Sequence, residues 1–240
     1  MDKALRVVKV NIMDMKKTII FFYIAIFIQV IFFINIGQYG GGFFPVVMDV
    51  FTSIILFSTT SGRLKDKFHF SQANNISRKT LIKGSIISIF PIAAIMAVID
   101  FAINRTMNVF IKAPTFYDIF FTSFRGVFGS REISNWVQDG SLTAIIGSII
   151  FSFMLYSIVS IMGLLSGVIN LRTSDKFQVI ISLTSLGLLI LVNNISGGVL
   201  EKIQVLIENR LGFVMVLIYI VIFGVGIIGS IKLIRKASIK

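Results

Sequence analysis

Six apolar blocks, each about 18 to 28 residues long, fill most of the chain: Thr18 to Asn35, Phe43 to Ser61, Gly84 to Ile103, Leu142 to Ile169, Phe177 to Ile195 and Leu211 to Ile231. A helix needs about 20 apolar residues to cross the hydrocarbon core of a bilayer, and an α-helix satisfies every backbone polar group within its own segment there. The blocks therefore read as six transmembrane helices, and residues 1–240 as one all-α polytopic membrane domain. Composition agrees, since only 14% of residues are charged against about 25% in soluble chains. The fourth block, about 40 Å long at helical rise, exceeds a core of about 30 Å and must tilt, kink or project into water.

A formal charge of +12 would suit a nucleic-acid binder, but its distribution says otherwise. Lys3, Arg6, Lys9, Lys16 and Lys17 precede the first block, and Arg63, Lys65, Lys67, Arg78, Lys79 and Lys83 follow the second. Arg172 and Lys176 follow the fourth, and Lys232, Arg235, Lys236 and Lys240 end the chain. Lys and Arg resist translocation, which puts all of these, and both termini, on the cytoplasmic side. The remaining six, Arg105, Lys112, Arg125, Arg131, Lys202 and Arg210, are nearly balanced by Asp118, Glu132, Asp139, Glu201 and Glu208. The basic charge is thus a topological bias, and no nucleic acid is expected. Frequent Ile, Lys, Asn and Phe point to an AT-rich bacterial genome, hence to a bacterial cytoplasmic membrane. The first block is too long for a signal-peptide core and is expected to remain as an anchor.

Much chemistry is missing. Without cysteine there is no disulfide, thiol nucleophile or thiolate metal site. No GxxxxGK[ST] or GxGxxG run is present to cradle nucleotide phosphates. The one histidine, His69, supports neither HExxH zinc chemistry nor a Ser/His dyad. The expectation is a non-enzyme with no catalytic, cofactor-binding or metal residues of its own.

Between and before the spans, three segments are informative. Leu5, Val8, Ile12 and Met15 recur at helical spacing with Lys3, Arg6 and Lys9 off the stripe, which reads as an interfacial amphipathic helix over 1–17, against a frayed basic tail. The loop 63–83 is the most polar stretch, with Phe68 and Phe70 interrupting a basic run. These rings would serve a protein-docking surface or dip into the lipid interface. Ser71 to Asn75 would turn the chain, and Ser77 is placed to N-cap the third span. In the external loop 104–141, Phe116, Phe120, Phe124 and Phe128 make one helical face, a lid on the outer leaflet anchored by Trp136 or a guide for a substrate leaving the pore. Leu200, Ile203 and Ile207 with Glu201, Lys202 and Glu208 give a second short external helix.

Within the spans, polar groups are few. Asp49 lies about six residues into the second span and reads either as lining a hydrated pathway or as a structural hydrogen bond. Asp100, close to Asn104 and Arg105, reads as interfacial. Gln29 and Asn35 in the first span, and Asn193 and Asn194 in the fifth, would join helices or line a route. Gly163 with Gly167, and Gly226 with Ser230, would allow close helix packing. Pro91 should kink the third span.

A basic amphipathic N-terminus, six spans and a polar loop ending in Ile76-Ser77-Arg78-Lys79-Thr80 together resemble the permease subunit of an ABC-2-type transporter. The resemblance implies a cytoplasmic coupling helix between spans two and three. Lys67, Phe68, His69, Phe70, Ser71, Gln72, Ala73, Asn74 and Asn75 would dock an ABC ATPase subunit, and Ser77, Arg78 and Lys79 would lead into the third span. It implies ATP and Mg on that partner, none on this chain, and a second permease copy, as homodimer or heterodimer. It also implies that spans one and five meet at the dimer axis, where Gln29, Asn35, Asn193 and Asn194, with Asp49, would line the seam or the substrate pathway. Small size and Phe-rich spans are similar to exporters of amphipathic peptides, of the phenol-soluble-modulin or bacteriocin-immunity type. The expected function is export of a hydrophobic or amphipathic substrate, a peptide toxin or antimicrobial peptide. Two alternatives stand beside it: an ion-gradient-driven secondary carrier using Asp49 as a proton or cation site, and a non-transporting membrane scaffold.

Overall fold

A computed structural model describes residues 3–40, 47–110, 114–121, 137–171 and 211–235. Every regular element among them is a helix: α1 (Lys3–Gly40), α2 (Val47–Gly62), α3 (Leu64–Ala73), α4 (Arg78–Met107), α5 (Phe116–Phe121), α6 (Leu142–Asn170) and α7 (Leu211–Arg235). Four stretches, Lys3–Phe32, Arg78–Met107, Leu142–Asn170 and Val214–Ile234, are long and apolar enough to span a membrane. They correspond to the expected first, third, fourth and sixth spans. α2 has 16 described residues and falls short of a span by itself, while residues 41–46 before it are outside the description. The expected fifth span, Phe177 to Ile195, and the external segment from Val199 also lie outside the described residues.

The surface supports a membrane setting. Phe21, Phe27 and Ile28 on α1, Ile54 on α2 and Val221, Val225 and Ile228 on α7 are exposed, whereas Ser85, Ser88, Ser148, Ser152, Ser157 and Ser160 are buried. Apolar side chains face outward and small hydroxyls meet between helices, the reverse of a soluble bundle and the arrangement lipid favours.

α1 runs as one helix of 38 residues. No Gly or Pro interrupts it before Gly37, so the segment expected to lie in the headgroup layer and the first span share a single axis. One face of α1 is buried in the bundle. Val7, Asn11 and Met15 are buried, at spacing i, i+4, i+8, while Leu5 is exposed. Asn11 sits at the centre of that face because its Nδ2 donates to Ser88 Oγ at 3.0 Å and Ser85 Oγ at 3.4 Å on α4. Val7 meets Gly84, where a Cβ would come within 2.6 Å of the Val7 Cβ. Further along, Tyr23 reaches Met96 and Asp100, and Ile26 packs with Met107. α1 and α4 therefore run parallel.

α6 lies against α2 in the same direction. A Cβ on Gly167 would meet Ser61 O at 2.8 Å, and one on Gly163 would strike Thr60 Oγ1 and lie 2.8 Å from Phe57 O. Backbone oxygens cannot step aside as side chains do, so the GxxxG pair is what lets α2 and α6 touch. On its other side Ser157 contacts Tyr219, Ile161 contacts Gly226, and Leu165 contacts Gly229, so α6 and α7 also run parallel. α4 continues through Pro91, which deprives the Ile87 carbonyl of its helical donor.

One end of the bundle carries the starts of α1 and α4, the ends of α6 and α7, and all of α3. Val7, Leu64, Phe68, Leu81, Ile82, Ile161, Leu164, Val168, Phe223 and Ile234 form the core there. Met15, Leu56, Ile92, Ala93, Met96, Ala97 and Tyr156 form the central core. α5 closes part of the far end, stacking Tyr117, Phe120 and Phe121 around Phe151 of α6 at 5.8 to 6.3 Å. Of the predicted Phe stripe, Phe116 and Phe120 lie on α5, whereas Phe124, Phe128 and Trp136 lie outside the described residues.

Candidate functional site

Two places gather the polar side chains singled out by sequence. The first is α3. Leu64, Phe68 and Ser71, at i, i+4 and i+7, face the bundle, and Phe68 is completely buried. Arg78 holds its guanidinium 5.5 Å above the Phe68 ring. His69, Phe70, Gln72, Ala73, Asn74, Asn75, Ser77 and Lys79 are exposed. The two phenylalanines thus part company: Phe68 anchors the helix and Phe70, 49% exposed, is the ring offered outward.

The exit from α3 follows the expected chemistry. Asn75 adopts φ 51°, a left-handed conformation that Asn tolerates. That turn lets Ile76 N donate to Ser71 O at 2.8 Å and Asn75 N to Gln72 O at 3.1 Å, closing the helix end. Ser77 then caps α4, its Oγ accepting from Thr80 N at 3.2 Å.

Lys67 is half-buried and lines a cavity of about 20 Å³ with Asn11, Thr59, Thr60, Ser85, Ser88 and Ser160. Burial lowers its ammonium to about 8, partly offset by the charge of Asp14. Next to it, Arg63 donates through Nη1 to Asp14 O at 2.9 Å and through Nη2 to Thr18 Oγ1. A groove of about 220 Å³ separates α3 from the start of α1, with Lys3 and Arg6 on one side and Phe70, Asn74 and Ile76 on the other.

The second place lies towards the far end, where four helices converge on two carboxyl groups. Asp49 of α2 and Asp100 of α4 are each 3% exposed. Tyr156 of α6 puts its hydroxyl between them, 2.5 Å from Asp100 Oδ2 and 3.1 Å from Asp49 Oδ1. Tyr23 of α1 donates to Asp100 Oδ1 at 2.8 Å. Phe116 N at the start of α5 donates to Asp49 Oδ2 at 2.9 Å. Above them Asp118, fully buried, accepts from Thr115 N, Thr115 Oγ1 and Gln138 Nε2. Thr115 Oγ1 in turn accepts from Asp118 N, a capping box that starts α5. Among the described residues, neither Asp49 nor Asp100 pairs with a lysine or arginine: Arg105 gives Nη1 to Asp139 O at 2.7 Å and lies over the Phe101 ring.

Asp100 is therefore buried inside the bundle, near the end of α4 that also carries Asn104 and Arg105. A charged group at membrane depth costs about 2.5–3.5 kcal/mol on insertion scales, which explains why it is so fully hydrogen-bonded. Tyr23 and Tyr156 were missed altogether. A signal existed for Tyr156, since Ala144, Ser148, Ser152, Tyr156 and Ser160 repeat every four residues and all are buried, but it competes with an apolar background on every face of α6. Gln29 is half-buried on α1, away from both places; Asn35 lies on α1 with its side chain outside the description, and Asn193 and Asn194 lie outside the described residues.

No protein-family model matches the chain, and no curated protein or solved structure matches it. Among the described residues there is no group of three or more His, Cys, Asp and Glu side chains that could hold a metal ion.

Proposed function

We propose that the chain is the membrane-spanning permease subunit of an ATP-driven ABC exporter in a bacterial cytoplasmic membrane, with ATP and Mg bound by a separate ATPase subunit. The observation that carries this reading is α3, a helix outside the spanning stretches, fixed to the bundle by Phe68 and presenting His69, Phe70, Gln72 and Ala73 outward. A helix held by one buried ring on the ends of α4 and α6 transmits a push to those helices, because its contacts are core contacts. Both described chain ends lie at the α3 end, and the parallel course of α6 and α7 supports a six-span chain with both termini cytoplasmic. An apolar exterior on α1 and α7 suits lipid and a second permease copy. A hydrophobic or amphipathic peptide is the substrate that suits so apolar a molecule.

The test is purification of the tagged protein in mild detergent from its native membrane. A co-eluting, vanadate-sensitive ATPase is expected, together with its loss in Phe70→Glu at unchanged thermal stability. A clean preparation without ATPase, or export and association that survive replacement of His69, Phe70 and Gln72, would overturn the reading.

A further inference from the structure

We propose that Asp49, Asp100, Tyr23 and Tyr156 form a binding site for one monovalent cation, a proton or a sodium ion, which ties α1, α2, α4 and α6 together. Proton counting points to it. A phenol carries one O–H, so Tyr156 can give a full hydrogen bond to only one of two carboxylates, yet its oxygen lies 2.5 Å from Asp100 and 3.1 Å from Asp49. With both acids ionised, the longer contact would set oxygen against oxygen with at best a shared hydrogen. One more positive charge placed between Asp49 Oδ1 and the Tyr156 oxygen turns it into a bond.

The donors are distributed to match. Asp100 accepts from two phenols, Tyr23 at 2.8 Å and Tyr156 at 2.5 Å, and so is equipped to hold the negative charge that remains. Asp49 has Oδ2 occupied by Phe116 N and keeps Oδ1 for the ligand. A second observation points the same way: Thr52, one turn after Asp49 on α2, is completely buried with its Oγ1 against Asp100 and without a completed hydrogen bond. It supplies a further oxygen to a sodium ion or an acceptor to a proton network.

Among the described residues, the charged and titratable groups facing the site come one from each neighbouring element. α1 contributes Tyr23, α2 Asp49, α4 Asp100, α5 Asp118 and α6 Tyr156. These described groups are all acidic or neutral, and Arg105 gives Nη1 to Asp139 O and lies over the Phe101 ring. Losing the cation would leave two like charges across one phenol, driving α2 from α4 and opening this end of the bundle. The site requires no ATPase partner.

The full-length protein in detergent is the sample. In sodium-free choline buffer at neutral pH, infrared spectroscopy reads the carbonyl stretch of protonated carboxyls, and thermal unfolding is followed as sodium replaces choline. A protonated-carboxyl band that disappears in Asp49→Asn, with unfolding indifferent to sodium, identifies a proton. A midpoint that climbs with sodium, with the climb lost in both Asp49→Asn and Asp100→Asn, identifies sodium. Tyr156→Phe keeps both acids and guards against a variant that does not fold; it should shift the band or weaken the sodium response. Wild-type protein with neither an Asp49-dependent band nor a sodium response would overturn the proposal.

Discussion

Phe68 and Phe70 sit two residues apart on α3 and do opposite things. Truncating a fully buried ring costs about 3–5 kcal/mol, so Phe68→Ala should lower the unfolding midpoint sharply. Phe70→Ala should leave it almost unchanged, within about 0.5 kcal/mol, as for other exposed positions, and lose only partner association. Comparing melting curves of the two variants checks this. Lys67 adds a pH signature. Its ammonium is lowered by burial to about 8 from 10.5, so between these values the unfolded chain binds more protons and stability rises with pH. The contribution is fully present above 10.5 and lost as pH falls through 8. Lys67→Met, which keeps the stem without the charge, should flatten that rise; unfolding measured across this pH window reads it directly.

At the scale of elements, close approach decides which helices meet. Gly167→Ala puts a methyl 2.8 Å from the Ser61 carbonyl oxygen, and α2 must move away from α6, a strain of about 1–3 kcal/mol. Gly224→Ala on α7 meets nothing within 4 Å and should be neutral or stabilising by up to about 1 kcal/mol through helix propensity. Thermal unfolding of this pair separates packing from propensity. Ser77→Ala removes the cap of α4 and should cost about 1 kcal/mol, while leaving Phe68 seated.

For the whole molecule, the proposed topology makes a direct prediction. The chain has no cysteine, so single cysteines can be introduced without background. His69→Cys, exposed at the α3 end, should react with an impermeant maleimide only after cells are opened. Val137→Cys, 73% exposed at the far end, should react in intact cells. Labelling of both from the same side would contradict the arrangement of the termini and of α3.

The helical class, the Ser77 cap and the turn ending at Asn75 were legible in the sequence because each rests on local physics. Backbone groups in lipid demand helices about 20 residues long, and capping involves residues three or four apart. The rotation of each helix about its axis was not legible in the same way. In water a polar face marks the outside, but in an apolar span every face is similar, and the stripe Leu5, Val8, Ile12 and Met15 does not name the face that α1 turns to its neighbours. That face is set by Asn11 finding Ser85 and Ser88, partners more than seventy residues away. The same reason hid the convergence of Asp49, Asp100, Tyr23 and Tyr156, four residues on four helices. The sequence by itself determined that this chain builds helices for a membrane; only the tertiary structure decided which side chains meet, because register and rotation between apolar helices are settled by a few long-range hydrogen bonds and close contacts.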